Sequence, residues 1–349
     1  MIECRNLCKS YGNLKAVSGI SLRLNEHEFL SILGPSGCGK STLLRLIAGL
    51  EVPSQGQVFL HGNEISGSKI ILPPERRKFG MIFQDFALFP HLNVNDNVGY
   101  GASGSKNEKK QRVHELLELV SLTHLATKMP HQISGGEKQR IALARALAPR
   151  PILILMDEPF SNLDYQLRQQ LRHDIREILK HESVATILVT HDQVEAITFS
   201  DRMLLMQKGE IVQEGTPSDI YQCPQTIWAS SFIGEANHLA VVWQNNSLQT
   251  PLGELNVSYE IGINTRILMV RPEDFIIELV SAEKANGIVK SVDFCGSLQT
   301  ARVALKCGDI VRVSGSPHLS WNKDDSVKIK AARYSCFNSS GKRLNGTPE

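Results

Sequence analysis

A glycine-rich segment between an apolar run and a helical pattern constrains this chain more than any other feature. Residues 34–42 have the sequence GPSGCGKST, which fits the pattern G-x-x-x-x-G-K-[ST]. The apolar run 29–33 predicts a buried strand, and the periodicity of 43–48 predicts a helix that ends at Gly49. This arrangement points backbone N–H groups and the positive end of a helix at one spot. It predicts an α/β fold that binds a nucleoside triphosphate.

The residues of this loop have different expected roles. The glycines let the backbone curl so that successive N–H groups point at phosphate oxygens. We expect Lys40 to reach the outer phosphates and the Ser41 hydroxyl to hold Mg²⁺. The expected nucleotide contacts in the loop are Gly34, Ser36, Gly37, Cys38, Gly39, Lys40, Ser41 and Thr42. The alternative is a glycine-rich turn in which the lysine and serine are incidental.

Composition narrows the possibilities further. The chain has 349 residues, is 42% hydrophobic and carries a net charge of +2, which allows two or three domains and indicates no nucleic-acid surface. Its apolar runs are far shorter than the roughly twenty residues that cross a bilayer, and its first residues contain no apolar signal core. The seven cysteines form no CxxC pair, so we expect a reducing cytoplasm without disulfides or structural zinc.

A second candidate for phosphate chemistry follows the apolar run 152–156. A run without alternation is typical of a parallel strand covered on both faces, and this one is followed by Asp157 and Glu158. Ligands of open α/β sheets bind at the carboxyl ends of the strands. We expect Asp157 to orient Mg²⁺ and its waters, and Glu158 to polarise the attacking water. An acidic strand end without chemistry is the alternative.

Between these two motifs, residues 133–140 have the sequence ISGGEKQR and open a strongly helical pattern. Ser134 and Glu137 have the spacing of a capping box, so a well-made helix start is one explanation. Gly135 and Gly136 weaken the first turn, yet they let an anion approach its N–H groups. We interpret the segment as a second phosphate-binding site, too far along the chain to belong to the first loop.

Together these motifs resemble the ATP-binding cassette superfamily, whose LSGGQ signature stands here as ISGGE. The motifs follow the family's order, which is the phosphate loop, Gln84, the signature, Asp157-Glu158, residues 161–164 and finally His191. The resemblance covers residues 1 to about 235. Ile133, Glu137 and Asn162 depart from the usual residues without removing a charge or glycine that would touch phosphate, although Glu137 brings a negative charge near the site.

The resemblance implies roles for single residues. Tyr11 would stack on adenine, and Gln84 would sense Mg²⁺ and the lytic water. Asp164 would lie at the seam of a dimer, and His191 would contact the γ-phosphate. Each residue also has a structural explanation: Tyr11 as a core aromatic, Gln84 as a solvated loop amide and His191 as a hydrogen-bonded histidine at a strand end.

The resemblance also implies partners. In this family the signature of one subunit closes over the phosphate loop of another, so we expect a head-to-tail homodimer that holds two ATP molecules. A helical subdomain at about 93–148 would carry the signature. Phe86, Leu88 and Phe89 either form a surface that a transmembrane permease grips or pack inside. A solute-binding protein outside the membrane would be an indirect partner, and the chain itself would lie on the cytoplasmic face of a bacterial inner membrane.

From about residue 235 the helix signals fade. Short β-branched runs, broken by turn residues, occur at 240–243, 255–257, 267–270, 287–289 and 310–313. Such spacing predicts a sandwich or small barrel. The segment VRPEDF at 270–275 resembles the RPED-type motif in the oligosaccharide-binding-fold (OB-fold) tail of importer cassettes. We therefore expect a nucleotide-binding domain at 1–235 and an all-β, OB-like domain at 236–349 that braces the dimer, with a floppy end from 339.

Taken together, the resemblance implies the ATP-hydrolysing subunit of a bacterial importer. Overall likeness favours ferric iron as the cargo, while sulfate, thiosulfate, polyamines and sugars stay open because no residue here selects among them. A DNA-maintenance cassette would carry long heptad insertions or CxxC zinc sites, and neither appears in this sequence. A translation-type cassette would repeat the phosphate loop, which occurs here once. A phosphate-loop kinase or GTPase would lack Ser134-Gly135-Gly136. A non-catalytic scaffold would have lost Lys40, Asp157 or Glu158.

Overall fold

The computed structural model describes residues 1–67, 70–161 and 163–344. Asn162 and residues 345–349 of the expected floppy end lie outside the described residues. The chain forms two compact units, Met1–Ser218 and Asp219–Glu349, and each is described by itself. Within the described ranges, no helix is both long and apolar enough to span a bilayer.

The first unit contains both strands and helices. Its strands are β1 Ile2–Tyr11, β2 Leu14–Leu24, β3 Phe29–Leu33, β4 Gln55–Leu60, β5 Asn63–Ser66, β6 Phe79–Ile82, β7 Leu153–Asp157, β8 Ala185–Thr190, β9 Arg202–Gln207 and β10 Glu210–Gly215. Its helices are α1 Lys40–Ala48, α2 Val94–Gly99, α3 Lys106–Leu119, α4 Gly135–Leu147, α5 Tyr165–His181 and α6 Gln193–Phe199. Helix α7, Pro217–Gln222, spans the division between the units.

A six-stranded sheet in the order β10-β9-β3-β8-β7-β6 positions the predicted motifs. All its strands are parallel except β10, which pairs antiparallel with β9 at one edge. Strands β3, β7 and β8 are buried along their whole length, as predicted for a sheet covered on both faces. Because parallel strands end at the same edge, the segments that follow β3, β7 and β8 emerge side by side.

Helix α1 is held at its carboxyl end by a buried cation. Helix α1 packs in one hydrophobic core with β1, β2 and residues of the six-stranded sheet. Within this unit Arg77 is fully buried and donates hydrogen bonds to the carbonyls of Leu46 and Ile47 in the last turn of α1, and to those of Ile65 and Leu72. Burial lowers the pKa of Arg77 to about 10. The guanidinium satisfies carbonyls that the end of a helix leaves without partners.

The structure of the segment after β6 distinguishes the two hypotheses for Phe86, an exposed docking surface or packing inside. Phe86 is buried in the core that α3, α4 and α5 share, and Leu88 packs against the same core. Phe89 is half-buried, with its ring centre 4.5 Å from that of Tyr100. A turn at Phe83–Phe86, closed by a backbone hydrogen bond, directs the Phe86 ring inward. The idea that Phe86 is part of an exposed docking surface is therefore wrong.

The second unit is built from antiparallel sheets of short strands. Its strands are β11 Asn237–Ala240, β12 Val242–Gln244, β13 Ser247–Thr250, β14 Gly253–Leu255, β15 Ile267–Val270, β16 Phe275–Leu279, β17 Gly287–Phe294, β18 Gln299–Leu305, β19 Ile310–Gly315, β20 Ser326–Ala331 and β21 Ser335–Phe337. They form sheets in the orders β11-β15-β21, β12-β13-β14 and β16-β20-β17-β18-β19. Helices α8 Ile227–Ile233 and α9 Tyr259–Asn264 complete the unit. Strand β15 has the predicted bounds, whereas α9 was not predicted.

A buried arginine joins the segment around Tyr221–Glu235 to the second unit. Arg271, the arginine of the RPED-type segment, is only 3% exposed. It donates to the backbone carbonyls of Tyr221, Ser230 and Glu235, and its guanidinium lies 4.2 Å from the centre of the Tyr221 ring. These contacts attach residues 219–235 to the β-rich unit, whereas the sequence placed them at the end of the first domain.

Candidate active site

The loop between β3 and α1 has a backbone that requires glycine at two positions. Gly39 has φ +105°, and a Cβ there would lie 2.0 Å from the carbonyl oxygen of Ala16. A Cβ on Gly34 would lie 2.3 Å from the carbonyl oxygen of Met206. No described side chain caps the N-terminus of α1, and its first turn contains no acidic residue. The helix end is therefore suited to an anion as the partner of its N–H groups.

Lys40 lies within this loop. Its side chain is buried, and Nζ donates to the carbonyl oxygens of Gly34 at 2.9 Å and Pro35 at 3.0 Å. Ser36 and Gly37 form the exposed tip of the loop, and Thr42 is half-buried behind it. The positive charge of the lysine is thus held beside the backbone that would surround a phosphate.

Cys38 is a packing residue in this structure. It is 5% exposed, and burial raises the pKa of its thiol. Its Sγ would lie 2.6 Å from a Cβ on Gly34, and its carbonyl accepts a hydrogen bond from Gly209 N–H at 3.0 Å. A covered thiol with a raised pKa is a poor nucleophile. Cys38 is therefore a small packing residue of the loop and not a reactive thiol.

The two predicted Mg²⁺ ligands meet at the end of β7. The Ser41 hydroxyl donates to Oδ1 of Asp157 at 2.7 Å. Burial raises the pKa of Asp157, while the hydrogen bond from Ser41 acts in the opposite direction. A hydroxyl and a carboxylate are hard oxygen ligands of the kind Mg²⁺ takes alongside phosphate oxygens and water. The donor set of Ser41 and Asp157 therefore fits this ion.

Glu158 and His191 form a second pair beside the first. Glu158 has a left-handed backbone, φ +47°, and its N–H donates to the carbonyl of Val189 at 2.9 Å. Its Oε2 lies 3.0 Å from Nδ1 of His191, which directly follows β8. The carboxyl is largely covered, whereas about half of the histidine side chain is exposed. The structure thus brings the expected base and the expected γ-phosphate ligand into contact.

Three other predicted residues lie in separate places. Gln84 is exposed, two residues beyond β6, which pairs with β7. Asp164 caps α5, where its Oδ1 accepts a hydrogen bond from Leu167 N–H at 3.0 Å. Tyr11 ends β1 in the four-stranded sheet β2-β1-β4-β5 and is 44% exposed, with Nζ of Lys9 5.1 Å from its ring centre. The core-aromatic explanation of Tyr11 is therefore wrong.

The signature segment begins α4 with a complete capping box. Ser134 Oγ accepts from Glu137 N–H at 3.4 Å, and Glu137 Oε2 accepts from Ser134 N–H at 2.7 Å. The Ser134 N–H, and then the Ser134 hydroxyl, which donates to Glu137 Oε2 at 2.8 Å, lower the pKa of Glu137. Gly136 is buried, and a Cβ there would lie 2.9 Å from Cδ2 of Leu167. The glycine therefore also lets α4 approach α5 closely.

Sequence reasoning missed a polar cluster behind His191. Arg168 Nη1 lies 3.2 Å from Asp192 Oδ2, and the buried Glu195 accepts a hydrogen bond from the Thr190 hydroxyl at 2.5 Å. The spacing of Asp192 and Glu195 at the start of α6 is a helix-cap signal that could have located part of this cluster. Its link to α5 is not visible in the sequence.

Comparison with known proteins places these features in a family. A model of the ABC transporter family matches residues 17–161, and a model of the TOBE domain matches residues 268–337. The Fe(3+) ions import ATP-binding protein FbpC of Pseudomonas fluorescens is 40% identical over 308 residues, which cover 87% of each chain. This chain belongs to the ABC transporter family. The resemblance drawn from the motif order is confirmed.

Other members of the ABC transporter family agree with this assignment. The spermidine/putrescine import ATP-binding protein PotA of Legionella pneumophila is 39% identical over 330 residues, 90% of each chain. The dimeric ATP-binding cassette MJ0796, solved with ADP and Pi, matches with a TM-score of 0.55 and 32% identity over 62% of this chain and 99% of that one. The predicted fold, an ABC nucleotide-binding domain followed by an OB-like TOBE domain, is confirmed.

Proposed function

We propose that this chain is the ATP-hydrolysing subunit of a bacterial binding-protein-dependent importer. The supporting observation is that the Ser41–Asp157 and Glu158–His191 pairs emerge at the sheet edge that also carries the phosphate loop. Relatives that match most of the chain are named as import ATP-binding proteins, which supports the transport role. The substrate is ATP and the metal is Mg²⁺.

In the proposed mechanism the chain's contribution is positioning and charge. Loop N–H groups and Lys40 bind the phosphates, and Ser41 and Asp157 hold Mg²⁺ and its waters. Bound Mg²⁺ supplies charge stabilisation for the phosphoryl group in transfer. Glu158 accepts the proton of the attacking water, and His191 orients that carboxylate and contacts the γ-phosphate. Gln84 completes the water and metal contacts, and reopening after hydrolysis drives the membrane partner.

The complete site is proposed to need a second copy of the chain. Ser134, Gly135, Gly136 and Glu137 of one copy would face the nucleotide bound by the other, with Asp164 at the seam and Tyr11 on adenine. The dimeric MJ0796 cassette with ADP and Pi supports a dimer, and the head-to-tail arrangement is our proposal from the family resemblance. The dimer would act on a transmembrane permease at the cytoplasmic face of the inner membrane, with a solute-binding protein on the other side. No nucleic acid takes part.

A variant of the proposed base tests the hydrolytic role. Glu158→Gln keeps the shape of the side chain but cannot accept the proton, so we expect turnover to fall about 100- to 10,000-fold while ATP is still bound. Without hydrolysis, Mg·ATP should trap a stable dimer, measured by size-exclusion chromatography with light scattering. Glu177→Gln, at an exposed pair with Lys180, is the control. Wild-type turnover in Glu158→Gln would remove Glu158 from this role.

Ferric iron is the proposed cargo, and a polyamine is the second candidate because PotA is nearly as similar as FbpC. The test is ATP hydrolysis by the reconstituted transporter with its own solute-binding protein. That protein is supplied loaded either with ferric ion or with spermidine. Stimulation by the iron-loaded form alone supports the proposal, and stimulation by the spermidine-loaded form alone assigns the chain to polyamine uptake.

A further inference from the structure

The two chain neighbours of His191, Thr190 and Asp192, are held by hydrogen bonds to each other and to the buried Glu195. The Thr190 hydroxyl donates to Glu195 Oε2 at 2.5 Å and accepts from Asp192 N–H at 3.0 Å. Asp192 in turn caps α6, where its Oδ1 accepts from Glu195 N–H at 3.0 Å. Thr190 and Glu195 are at most 2% exposed. The backbone on both sides of His191 is therefore fixed by a closed ring of hydrogen bonds.

Arg168 joins this ring to a different part of the site. From the first turn of α5 its Nη1 donates to Asp192 Oδ2 at 3.2 Å, and its Nε lies 3.9 Å from Glu195 Oε1. Its Nη2 donates to the carbonyl oxygen of Leu163 at 3.0 Å. Leu163 directly precedes Asp164, which caps α5. One planar guanidinium thus contacts the segment that ends at Asp164 and the segment that contains His191.

The partial burial of the Arg168 contacts favours a mechanical link between the two segments over a simple surface ion pair. The Arg168 side chain is 24% exposed and the Glu195 side chain 3%, so water screens the charges only partly. Burial raises the pKa of Glu195, and the positive charge of Arg168 opposes that shift. A guanidinium presents donors in a rigid plane, so a displacement of the Leu163 carbonyl changes the position at which Asp192 is held.

We propose that Arg168 is a positioning residue that couples the segment leading into Asp164 to His191, so that closure of a second copy at Asp164 aligns the Glu158–His191 pair. This inference rests on the proposed function, because it assumes ATP hydrolysis and a head-to-tail dimer. In this proposal Arg168 touches neither the nucleotide nor the attacking water. It acts through Asp192 and the ring of hydrogen bonds around Thr190.

The chain offers a matched control on the same helix. Arg176 is equally covered, with 22% of its side chain exposed, and its Nη2 lies 2.9 Å from Asp201 Oδ1. Its Nε donates to the carbonyl of Phe199 at 2.8 Å. Arg176 therefore makes the same kinds of bond as Arg168, but to the end of α6 that is remote from His191. The variants Arg168→Gln and Arg176→Gln separate coupling from general support of α5.

The experiment measures steady-state hydrolysis of Mg·ATP by the full-length chain. Arg168→Gln should lower kcat about 10- to 100-fold, since a small misplacement of reacting groups has effects of that size. It should leave KM within about 2-fold and reduce the Hill coefficient for ATP toward one, because each site no longer senses closure of the other. Arg176→Gln should change kcat by less than about 2-fold. An equal loss in both variants overturns the proposal.

A double variant tests whether Arg168 acts through the histidine. If it does, Arg168→Gln added to His191→Ala causes no further loss of kcat, because the aligned group is already absent. Multiplicative losses contradict the coupling. Asp192→Asn serves as a second variant if Arg168→Gln does not fold, because asparagine still caps α6 while the charge partner of Arg168 is lost. It should lower kcat in the same direction, and an unchanged kcat contradicts the proposal.

The outcomes for the two proposals differ. Absence of Mg·ATP hydrolysis by the wild-type chain in its transporter complex, or a Glu158→Gln chain that never dimerises, counts against the proposed function. A wild-type chain that hydrolyses ATP cooperatively, together with an Arg168→Gln chain that does the same at full rate, counts only against the coupling.

Discussion

Helices α1 and α4 both begin with glycines that the sequence associates with phosphate, yet their first turns are built differently. Helix α1 follows Gly39 in a left-handed conformation, has no described side-chain cap and contains Lys40. Helix α4 follows Ser134 in an extended conformation and closes a capping box with Glu137. The first helix end leaves its N–H groups to a ligand, whereas the second satisfies part of its own and adds a negative charge.

The difference suggests that the N-termini of α1 and α4 have different functions. The end of α1 gains most from an anion, because ligand oxygens replace the side-chain cap that it lacks. The end of α4 is stable alone and gains less, and its Glu137 carboxylate opposes a second negative charge nearby. We therefore expect α1 to determine whether nucleotide binds, and α4 to adjust how strongly a second copy closes.

The strongest test of the comparison is alanine in place of glycine at each helix start. Gly39→Ala should lower the free energy of unfolding by about 3 kcal/mol or more, because φ +105° and the Ala16 carbonyl both reject a Cβ. Gly136→Ala should change it by about 1 kcal/mol or less, since the flexible end of Leu167 can move and alanine favours the helix. Chemical denaturation measures both. Equal effects would remove the proposed difference.

Removal of the lysine is the next largest effect. Lys40→Ala should weaken binding of Mg·ATP about 100-fold, about 2.7 kcal/mol, because a buried charged donor beside the phosphates is lost. Lys138→Ala, in the first turn of α4, is the control and should leave the affinity of one copy for nucleotide unchanged. Fluorescent nucleotide titration at a chain concentration too low for dimers measures both. A Lys40→Ala chain with wild-type affinity would contradict the assignment.

Loss of the serine cap should have a smaller effect. Ser134→Ala removes the acceptor for Glu137 N–H and should lower the free energy of unfolding by about 1 kcal/mol. It should also weaken the ATP-dependent dimer in the Glu158→Gln background while nucleotide affinity of one copy is retained. Sedimentation velocity with Mg·ATP measures the dimer. Ser134→Thr keeps the hydroxyl and should restore both properties.

Removal of the negative charge of Glu137 should have the smallest effect of these changes. Glu137→Gln keeps an oxygen acceptor for Ser134 N–H, so stability should fall by only a few tenths of a kcal/mol. The dimer trapped by Mg·ATP should become tighter by about 2- to 5-fold, because a like charge near phosphate is removed, and added salt should shrink this gain. A weaker dimer would show that the carboxylate helps closure.

Much of the first unit follows from local sequence patterns. The apolar runs at 29–33 and 152–156 occur as strands β3 and β7, and parallel strands necessarily deliver the residues after them to one edge. The contact between Ser41 and Asp157 agrees with that rule, although β8 lies between β3 and β7. Patterns of this kind are visible because periodicity and glycine placement depend only on neighbouring residues.

Other features depend on contacts between distant segments and could not be predicted. The approach of Gly136 to Leu167 depends on how α4 crosses α5. The attachment of 219–235 to the second unit depends on one arginine, Arg271, whose partners lie far from it in sequence. Helix α9 is a short helix among β-branched runs, where propensity gives little signal. The roles of all the site residues, including Gln84, Tyr11 and Asp164, stay predictions.

The arginine at the far end of α1 has a consequence for nucleotide exchange. Arg77 binds two carbonyls of the last helical turn and two from the neighbouring segment, so axial sliding of α1 would break several charge-assisted bonds together. We therefore expect α1 to keep its axial position when a highly charged ligand binds or leaves at its N-terminus. In the proposed transporter, we therefore expect the movement passed to a membrane partner to come from elements other than this helix.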